Sequence, residues 1–288
     1  VAYENAREIL ARFINADTKE VIFTGGATAS SNMLIYALEQ ILDLNKGDEL
    51  VTSVFEHHSN LLPLQDLAKR RGLAFKHFEM TPDFRLDYGA MNSLITDRTK
   101  IVSVTLASNV TGTITDVRKI AEVAHKHGAL IIVDAAKAAG HIPIDVKIFD
   151  CDFLFFSGHK ICGPTGIGIL YGKKELLEKM QPSAFGGGIV DEVTMDEAIY
   201  NDVPLRFEAG TPNIAGAIGL AEAIKYLNNI KIENIRKHTE GLVEYAVKKL
   251  SEISGINLIC EKDSTKNAGI VSFTVEGIHP HDVGEILN

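Results

Sequence analysis

The chain has 288 residues, of which 45% are hydrophobic, 23% charged and 7% aromatic. This balance is typical of a globular protein with a large core, so a disordered chain, a collagen and a coiled coil are excluded, and no apolar run approaches the roughly 18 to 20 residues of a membrane-spanning helix. The formal net charge is −9 and no block of Lys and Arg occurs, which argues against a nucleic-acid partner.

The chain opens in a helical pattern over residues 4–15, without an initiator Met or a signal peptide. It stops at Asn288, inside another helical pattern that begins near His281 and has no stop signal. We therefore expect both ends to lie within a longer protein.

Between these ends, short β-branched or aromatic runs alternate with longer segments of helical period. The predicted strands cover residues 20–24, 49–54, 74–79, 101–106, 129–134, 152–157 and 166–171. The predicted helices cover residues 29–42, 60–71, 116–127 and, after a loop rich in Gly and acidic residues, 214–227. This alternation predicts an α/β fold with a mostly parallel sheet flanked by helices.

From Ile232 the sequence changes to a long amphipathic helix, followed by strands near residues 256–260 and 269–275. We therefore expect two domains. Residues 1–228 would form a large domain, and residues 229–288 would form part of a smaller C-terminal α+β domain.

Polar residues follow five of the predicted strands at the point where each strand ends. They are Thr24-Gly25-Gly26-Ala27-Thr28, Glu56-His57-His58, Ser108-Asn109, Asp134 and Ser157-Gly158-His159-Lys160. In an open α/β sheet, ligands bind outside the carboxyl ends of the strands. These residues are therefore the candidates for a functional site.

The turn from Gly25 to Thr28 leads into a helix and would expose backbone N–H groups toward an anion, with the helix dipole and the Thr28 hydroxyl adding to the attraction. The turn is typical of a phosphate-binding site and equally of a tight strand-to-helix connection. It matches neither the G-x-G-x-x-G pattern nor a P-loop, so neither dinucleotide nor Mg-nucleotide binding is indicated.

Three further strand ends carry groups of chemical interest. Asp134 follows an apolar strand, where its carboxylate would bind a cation such as a pyridinium nitrogen or would cap a helix that begins at Ala135. Lys160 lies in a Gly-rich turn that we expect to be partly dehydrated, which would lower the pKa of the amine and suits a Schiff-base lysine; a surface lysine is the alternative. His57 would stack on an aromatic cofactor ring, move protons, or be an ordinary loop histidine.

The cysteines Cys151, Cys162 and Cys260 are odd in number and lack paired metal spacing. This pattern suits a reducing compartment, so we expect a cytoplasmic protein without a structural metal. Cys151 and Cys260 adjoin predicted strands and are expected in the core, whereas Cys162 lies two residues after Lys160. The histidines also lack a second ligand set at zinc spacing, so no metal site is predicted.

Six strings of residues occur in order along the chain, from about Phe23 to Asn213. They are Glu56-His57-His58-Ser59-Asn60, Ser108-Asn109-Val110-Thr111-Gly112, Val133-Asp134-Ala135-Ala136, Ser157-Gly158-His159-Lys160, Gly163-Pro164-Thr165-Gly166-Ile167-Gly168 and Arg206-Phe207-Glu208-Ala209-Gly210-Thr211-Pro212-Asn213. Together they resemble the cysteine desulfurases of the SufS type, in the class V aminotransferase superfamily of pyridoxal-phosphate (PLP) enzymes. The resemblance implies an enzyme with fold type I of the PLP-dependent transferases and with PLP as its cofactor.

The resemblance also implies a role for each matching residue. The catalytic residues would be Lys160, which would hold PLP covalently, Asp134, which would bind the ring nitrogen, and His57, which would stack on the ring. Other cofactor contacts would come from Asn109 near the phenolic oxygen, from the phosphate-binding residues Ala27 (through its backbone), Thr28, Ser157 and His159, and from Thr211, which would reach the phosphate of a neighbouring subunit. A homodimer follows from the last of these roles.

Three positions depart from the family pattern. Lys137 stands where the family usually has a Gln that donates to the phenolic oxygen. A cationic donor could still bind that oxygen, so Lys137 is included among the cofactor-binding residues, but it would change the acidity of the Lys160–PLP linkage. Ala27 stands where a hydroxyl residue is more frequent, and Gly25 where SufS-type members often have Arg.

The activity implied is the conversion of L-cysteine to L-alanine, with the sulfur passed to an enzyme cysteine as a persulfide and then to a protein acceptor, usually in iron-sulfur cluster assembly. In the family, the persulfide cysteine and the arginine for the substrate carboxylate lie beyond the point where this chain stops. We therefore expect both beyond residue 288. A class V aminotransferase, a selenocysteine lyase and a cofactor-binding but non-catalytic scaffold are the alternatives.

Overall fold

The structure is a computed structural model that describes all residues from Val1 to Asn288. Its strands are β1 (Val21–Thr24), β2 (Glu49–Ser53), β3 (Ala74–Phe78), β4 (Thr99–Thr105), β5 (Leu130–Asp134), β6 (Phe153–Ser157), β7 (Gly168–Gly172), β8 (Val190–Val193), β9 (Ala198–Tyr200), β10 (Ile256–Leu258) and β11 (Phe273–Val275). Its helices are α1 (Ala2–Phe13), α2 (Ala27–Ile41), α3 (His58–Arg71), α4 (Met91–Leu94), α5 (Val117–Lys126), α6 (Val146–Phe149), α7 (Lys174–Leu177), α8 (Ile214–Ile230), α9 (Ile232–Ser251) and α10 (Pro280–Leu287). No helix combines the length and the apolarity needed to cross a membrane.

The first seven strands form one sheet in the order β1-β7-β6-β5-β4-β2-β3. Strands β2 to β6 pair in parallel, whereas β7 is antiparallel to both of its neighbours, β6 and β1. Strand β1 therefore points in the same direction as β2 to β6. The predicted α/β fold with a mostly parallel sheet is confirmed, and all seven predicted strands are present.

Successive strand residues alternate between two hydrophobic cores, one on each face of the sheet. Phe156 belongs to the core that α1, α5 and α8 cover, and Phe155 belongs to the core under α2 and α3. Both rings are fully buried. A strand covered on both faces is apolar at every position, which explains why the sequence reads as continuous apolar runs and not as an apolar-polar alternation.

The acidic, Gly-rich segment before α8 differs from its prediction as a loop. It contains an antiparallel hairpin of β8 and β9, whose side chains are mostly exposed. Because the hairpin buries neither face, it leaves no apolar period in the sequence.

The C-terminal part comprises α9, the antiparallel pair β10 and β11, and α10. The segment between β10 and β11 is hydrogen-bonded to the loop that follows β4. The Glu261 N–H donates to the Thr111 carbonyl at 3.0 Å, and the Ala268 N–H donates to the Gly112 carbonyl at 2.7 Å. A β-carbon on Gly112 would lie 2.3 Å from the Asn267 Oδ1 atom, so only glycine fits there. The C-terminal part therefore packs directly against the Ser108–Gly112 string.

Candidate active site

The carboxyl ends of the parallel strands bring the predicted site residues to one edge of the sheet. Strand β5 ends at Asp134, which pairs with Thr105, the last residue of β4. Strands β1 and β6 end at Thr24 and Ser157, and both residues pair with Gly168 at the start of β7. The prediction that these strand ends share one edge is confirmed.

Asp134 is a buried carboxylate with little hydrogen bonding. It is 2% exposed, its Oδ1 atom accepts a hydrogen bond from the Ala136 N–H at 2.8 Å, and its second oxygen accepts none. No helix begins at Ala135, so the alternative role as a helix cap does not apply. Burial raises the Asp134 pKa to about 6, against the opposing effects of the Ala136 N–H and the Lys160 charge. The carboxylate therefore needs a further positive donor to be stable in its ionised form.

Lys160 ends a 3-10 turn, Gly158–Lys160, that follows β6 directly. We predicted that this lysine would be partly dehydrated. In the single chain the prediction is wrong, because Lys160 is exposed. Its charge nevertheless acts on the site, since it lowers the pKa of Asp134 and of His57. The turn itself is tight: a β-carbon on Gly163 would lie 2.9 Å from the Gly158 carbonyl oxygen.

His57 caps the first turn of α3. Its Nδ1 atom accepts a hydrogen bond from the Ser59 N–H at 3.1 Å and lies 2.7 Å from the Ser59 hydroxyl, while its ring is exposed. Partial burial lowers the His57 pKa, and the charges of Lys160 and His58 lower it further. The ring is therefore held in one orientation and favoured in its neutral form, with Nε2 free.

Glu56, a carboxyl group next to His57, was among the strand-end candidates, but the sequence assigned it no role. Glu56 accepts hydrogen bonds from the Ser53 hydroxyl, from Asn60 Nδ2 at 2.6 Å and from the Thr105 N–H at 2.8 Å. Burial raises its pKa to about 7. Glu56 thereby joins the ends of β2 and β4 to the start of α3, and so fixes the segment that carries His57. Its position between an apolar strand and His57 was the only signal available in the sequence.

The turn between β1 and α2 has the geometry of an anion site. Gly26 has φ +128°, and the N–H groups of Thr28 and Ala29 in the first helical turn have no acceptor. The Ala27 N–H, in contrast, donates to the Ser157 hydroxyl oxygen at 2.8 Å. This bond leaves the Ser157 O–H group free to donate elsewhere. The turn is thus both a tight connection and an open helix N-terminus.

Two cavities meet at His57. One, of about 440 Å³, is lined by His57, Asn109, Met80 and Ile259 among others. The other, of about 950 Å³, lies between α2 and α3 and includes Thr28 and Ala29 with His57. Asp134 and Lys160 line neither cavity. They belong to the site because they follow strands at the same edge of the sheet as His57, and because the Lys160 charge lowers the pKa of both His57 and Asp134.

The remaining predicted site residues are Lys137, His159 and Thr211, which differ in burial and in their contacts. Lys137 is half-buried, its Nζ atom is 3.1 Å from His141 Nε2, and burial together with the Lys160 charge lowers its pKa. His159 is exposed in the turn of Lys160. Thr211 is exposed in the loop before α8 and makes no hydrogen bond to the other site residues within the chain.

Of the three free cysteines, Cys151 and Cys260 are buried as predicted, and burial raises the pKa of both thiols. Cys162 is exposed, with φ +64°, beyond the turn of Lys160.

Comparisons with known proteins place this site in a family. The model of the family described as aminotransferase class-V matches residues 1–288. The probable cysteine desulfurase of Halalkalibacterium halodurans is 46% identical over 287 residues, which cover 99% of this chain and 70% of that protein. The apo structure of the cysteine desulfurase from Thermococcus onnurineus NA1 matches with a TM-score of 0.95 and 40% identity, over 99% of this chain and 71% of that one. The chain belongs to the class-V aminotransferase family.

One further solved structure bears on the fold. A variant of C-DES with glycine covalently linked to its PLP cofactor matches with a TM-score of 0.86, over 98% of this chain and 74% of that one. The sequences are 23% identical, so this likeness shows the fold alone. The predicted fold type I of the PLP-dependent transferases is confirmed, and family and fold together identify PLP as the cofactor.

Proposed function

We propose that the protein is a cysteine desulfurase that uses PLP to convert L-cysteine to L-alanine and passes the sulfur to a cysteine thiol as a persulfide. Family membership and the named relatives support this proposal. The observation that carries it is the buried Asp134 carboxylate in the field of the Lys160 ammonium, at the sheet edge that also holds His57. When bound, PLP supplies an electron-accepting ring that stabilises negative charge on a substrate carbon.

The residues fit the ring end of this cofactor. The second Asp134 oxygen accepts no hydrogen bond, and burial disfavours an ionised carboxylate that has no cationic partner. A protonated ring nitrogen is such a partner. We infer that Asp134 binds this nitrogen and keeps it protonated.

The residues also fit the phosphate end. Two free N–H groups, on Thr28 and Ala29, point out of the first turn of α2, where the helix dipole favours negative charge. The Ser157 hydroxyl, oriented by the Ala27 N–H, adds a donor. In this proposal the Ala27 N–H orients the Ser157 hydroxyl and does not itself contact the phosphate, whereas the side chains of Thr28 and His159 bind the phosphate directly.

Lys160 and His57 would carry the proton steps. The Lys160 amine is exposed, so it would hold the cofactor covalently at its aldehyde carbon, with release of water. Once the substrate amine displaces it, Lys160 would hold and return a proton at Nζ. The His57 ring is fixed by Ser59 through Nδ1, which leaves a flat face for stacking and leaves Nε2 for proton transfer. Asn109 lines the cavity of about 440 Å³ beside His57, and we propose that the substrate enters there.

The proposal extends to partners and organisation. We propose a homodimer in which Thr211, on its exposed loop, reaches the phosphate of the neighbouring subunit. The buried thiols of Cys151 and Cys260 do not suit a nucleophile. This chain covers 70% of the Halalkalibacterium halodurans relative, and we propose that the persulfide thiol and the arginine for the substrate carboxylate correspond to the part of that relative that is not matched. A cytoplasmic location, a protein sulfur acceptor, and large and small domains of residues 1–228 and 229–288 complete the proposal.

The test begins with cofactor uptake. Protein incubated with PLP should gain visible absorbance, and borohydride should fix the cofactor covalently at Lys160. The variant Lys160→Ala should remain colourless after washing, whereas the control Lys126→Gln, on the exposed face of α5, should behave as the wild type. Colourless wild-type protein would exclude both a PLP enzyme and a cofactor-binding scaffold.

Product analysis of the full-length protein then identifies the reaction. L-cysteine should yield L-alanine and a protein persulfide in equal amounts. A keto acid as the main product would identify an aminotransferase instead. Turnover of selenocysteine without turnover of cysteine would identify a selenocysteine lyase.

A further inference from the structure

The Glu56 carboxyl group closes the first turn of α3 around His57. Glu56 Oε2 accepts a hydrogen bond from Asn60 Nδ2 at 2.6 Å, and the Asn60 N–H donates to the His57 carbonyl at 2.9 Å. Asn60 is 1% exposed, and its amide oxygen accepts a hydrogen bond of 2.8 Å from the Ser103 hydroxyl on β4. His57 therefore lies between two residues whose side chains are bonded to each other and to the sheet.

The same carboxyl group is linked to Asp134 through the end of β4. Thr105 is the last residue of β4 and pairs with Asp134, the last residue of β5. The Thr105 N–H donates to Glu56 Oε1 at 2.8 Å, and the N–H of the next residue, Leu106, donates to the Asp134 carbonyl at 2.8 Å. Two successive backbone groups thus fix the turn of His57 relative to Asp134. In the proposed function His57 stacks on the cofactor ring and Asp134 binds its nitrogen, so their relative position has to match the ring.

The contacts of Glu56 suit a carboxylate more than a protonated acid. Its two oxygens accept from Asn60, from the Thr105 N–H and from the Ser53 hydroxyl, and all three donors are neutral. A negative charge on the acceptor strengthens such bonds. A proton on either oxygen removes that charge and places a donor where other donors already point. Protonation should therefore loosen the turn that holds His57.

Both states of Glu56 are accessible near neutral pH. Burial raises the Glu56 pKa to about 7, and the charge of Asp134 at the end of β5 raises it further. From the start of α3, His57 and His58 share the wall of the 440 Å³ cavity with Glu56. Lys160, in the turn after β6, acts on Asp134 and His57 through its charge. The bonds from β2 and β4 come from hydroxyl and backbone groups only.

We propose that Glu56 is a positioning residue that holds the His57 ring in register with Asp134, and that its ionised carboxylate holds the ring more firmly than the protonated acid does. Glu56 acts through His57 and does not itself contact the cofactor. This inference rests on the proposed PLP-dependent function.

The first test measures the visible circular dichroism of PLP-loaded protein, which reports the asymmetric contacts of the bound ring and does not depend on turnover. Glu56→Gln keeps the shape of the side chain but cannot ionise. At about pH 8 it should lose about half or more of the signal per bound PLP, whereas below about pH 6, where Glu56 of the wild type is protonated, the two proteins should agree. A wild-type signal in Glu56→Gln at the higher pH would overturn the inference.

The matched control for this test is Glu49→Gln. Glu49 is also a buried carboxylate on β2, but it lies at the opposite end of the strand, where it pairs with Lys76 and Arg98. Its loss should lower the stability of the fold and leave the visible signal per bound PLP unchanged at every pH. An equal loss of signal in Glu49→Gln and Glu56→Gln would show a general effect of destabilisation and overturn the inference.

The second test measures kcat for L-alanine formation from L-cysteine by the full-length protein. The ratio of wild type to Glu56→Gln should be about tenfold at about pH 8 and approach one below about pH 6, because a displaced His57 ring transfers protons poorly. His57, Asp134 and Lys160 titrate in both proteins, so the change of the ratio with pH reports Glu56. A ratio that is the same at every pH would overturn the inference.

A second variant keeps the inference testable if thermal unfolding shows that Glu56→Gln does not fold. Asn60→Ala removes the bond that closes the turn from its other end, so at about pH 8 it should also lower the visible signal per bound PLP. Folded Asn60→Ala with the wild-type signal would overturn the inference while the PLP function stands. Wild-type protein that takes up no PLP would overturn the proposed function and this inference with it.

Discussion

The Ser157 hydroxyl oxygen accepts a hydrogen bond of 2.8 Å from the Ala27 N–H, and this bond joins the end of β6 to the first turn of α2. Gly26 lies between the two, and a β-carbon on it would be 3.1 Å from the same hydroxyl oxygen. The proposed phosphate end of the site therefore depends on a residue without a side chain.

We expect Gly26→Ala to weaken PLP binding by about tenfold or more, because the added methyl group displaces the Ser157 hydroxyl and φ +128° disfavours any residue with a β-carbon. The matched control is Gly128→Ala, which also has a positive φ of +73° but has no atom within 4 Å of the added carbon. Both variants should lose about 1 to 2 kcal/mol of unfolding free energy in urea. Unchanged PLP affinity in folded Gly26→Ala would exclude this turn as the phosphate site.

The second prediction concerns pH and Asp134 in the cofactor-free protein. Its pKa is raised from 3.8 to about 6, so between these values the unfolded chain has released this proton and the folded chain has not. This group should therefore lower the free energy of unfolding by about 3 kcal/mol as the pH rises from about 4 to about 6, with no further loss above.

Asp134→Asn does not titrate and keeps the hydrogen bond from Ala136, so it should lack this decrease. Urea unfolding of both cofactor-free proteins at several pH values measures the difference. Parallel curves for the two proteins would contradict the raised pKa. In the PLP-loaded variant we also expect the rate of L-alanine formation from L-cysteine to fall by a factor of about 100 or more, because the ring nitrogen loses its anionic partner.

The third prediction concerns a buried ion pair behind the site. Arg7 Nη1 lies 2.6 Å from Glu208 Oε1, and the side chains are 1% and 6% exposed. The same Glu208 oxygen accepts the Phe23 N–H at 2.7 Å, so the pair ties α1 to β1 and to the loop that carries Thr211. Arg7→Met should cost about 3 to 5 kcal/mol of unfolding free energy, because Glu208 is left buried without its partner.

Arg12→Met provides the comparison, because Arg12 pairs with Glu8 at 3.0 Å where the side chains are 78% and 48% exposed. Its loss should cost no more than about 1 kcal/mol. The double variant Arg7→Met with Glu208→Leu should recover part of the loss. A loss in Arg7→Met as small as that in Arg12→Met would show that the buried pair does not hold these elements together.

The fourth prediction concerns sulfur. Cys162 is exposed near Lys160, but no side chain forms a hydrogen bond with its sulfur. Cys162→Ser should therefore leave PLP uptake and alanine formation within about twofold of the wild type. Mass analysis after incubation with L-cysteine should detect no added sulfur on Cys162, and a persulfide there would overturn the assignment of the acceptor thiol to another part of the protein.

The sheet and its site edge were predictable from the sequence because all of its strands except the edge strand β3 are largely buried on both faces. The runs of residues 130–133 and 153–156 are apolar throughout, and the polar residue that follows each run, Asp134 or Ser157, marks the carboxyl edge. The hairpin of β8 and β9 has no such burial, so its sequence resembles that of a loop.

Contacts between elements that are distant in the chain could not be predicted from the sequence. The exposure of Lys160 depends on the direction in which a three-residue turn leaves the sheet, which spacing does not define. The partners of Glu56 come from β2, β4 and α3, and only the assembled sheet brings them together. His141 lies four residues after Lys137, which is a helical spacing, but no regular helix forms there.

The main-chain bonds from Glu261 to Thr111 and from Ala268 to Gly112 give the proposed substrate cavity a wall built from both halves of the chain. Ile259 stands in that wall beside Asn109, while the phosphate turn and Asp134 lie on strand ends of the N-terminal half. If the proposed assignments hold, substitutions around position 259 should change the amino-acid preference and leave the proposed coenzyme contacts untouched.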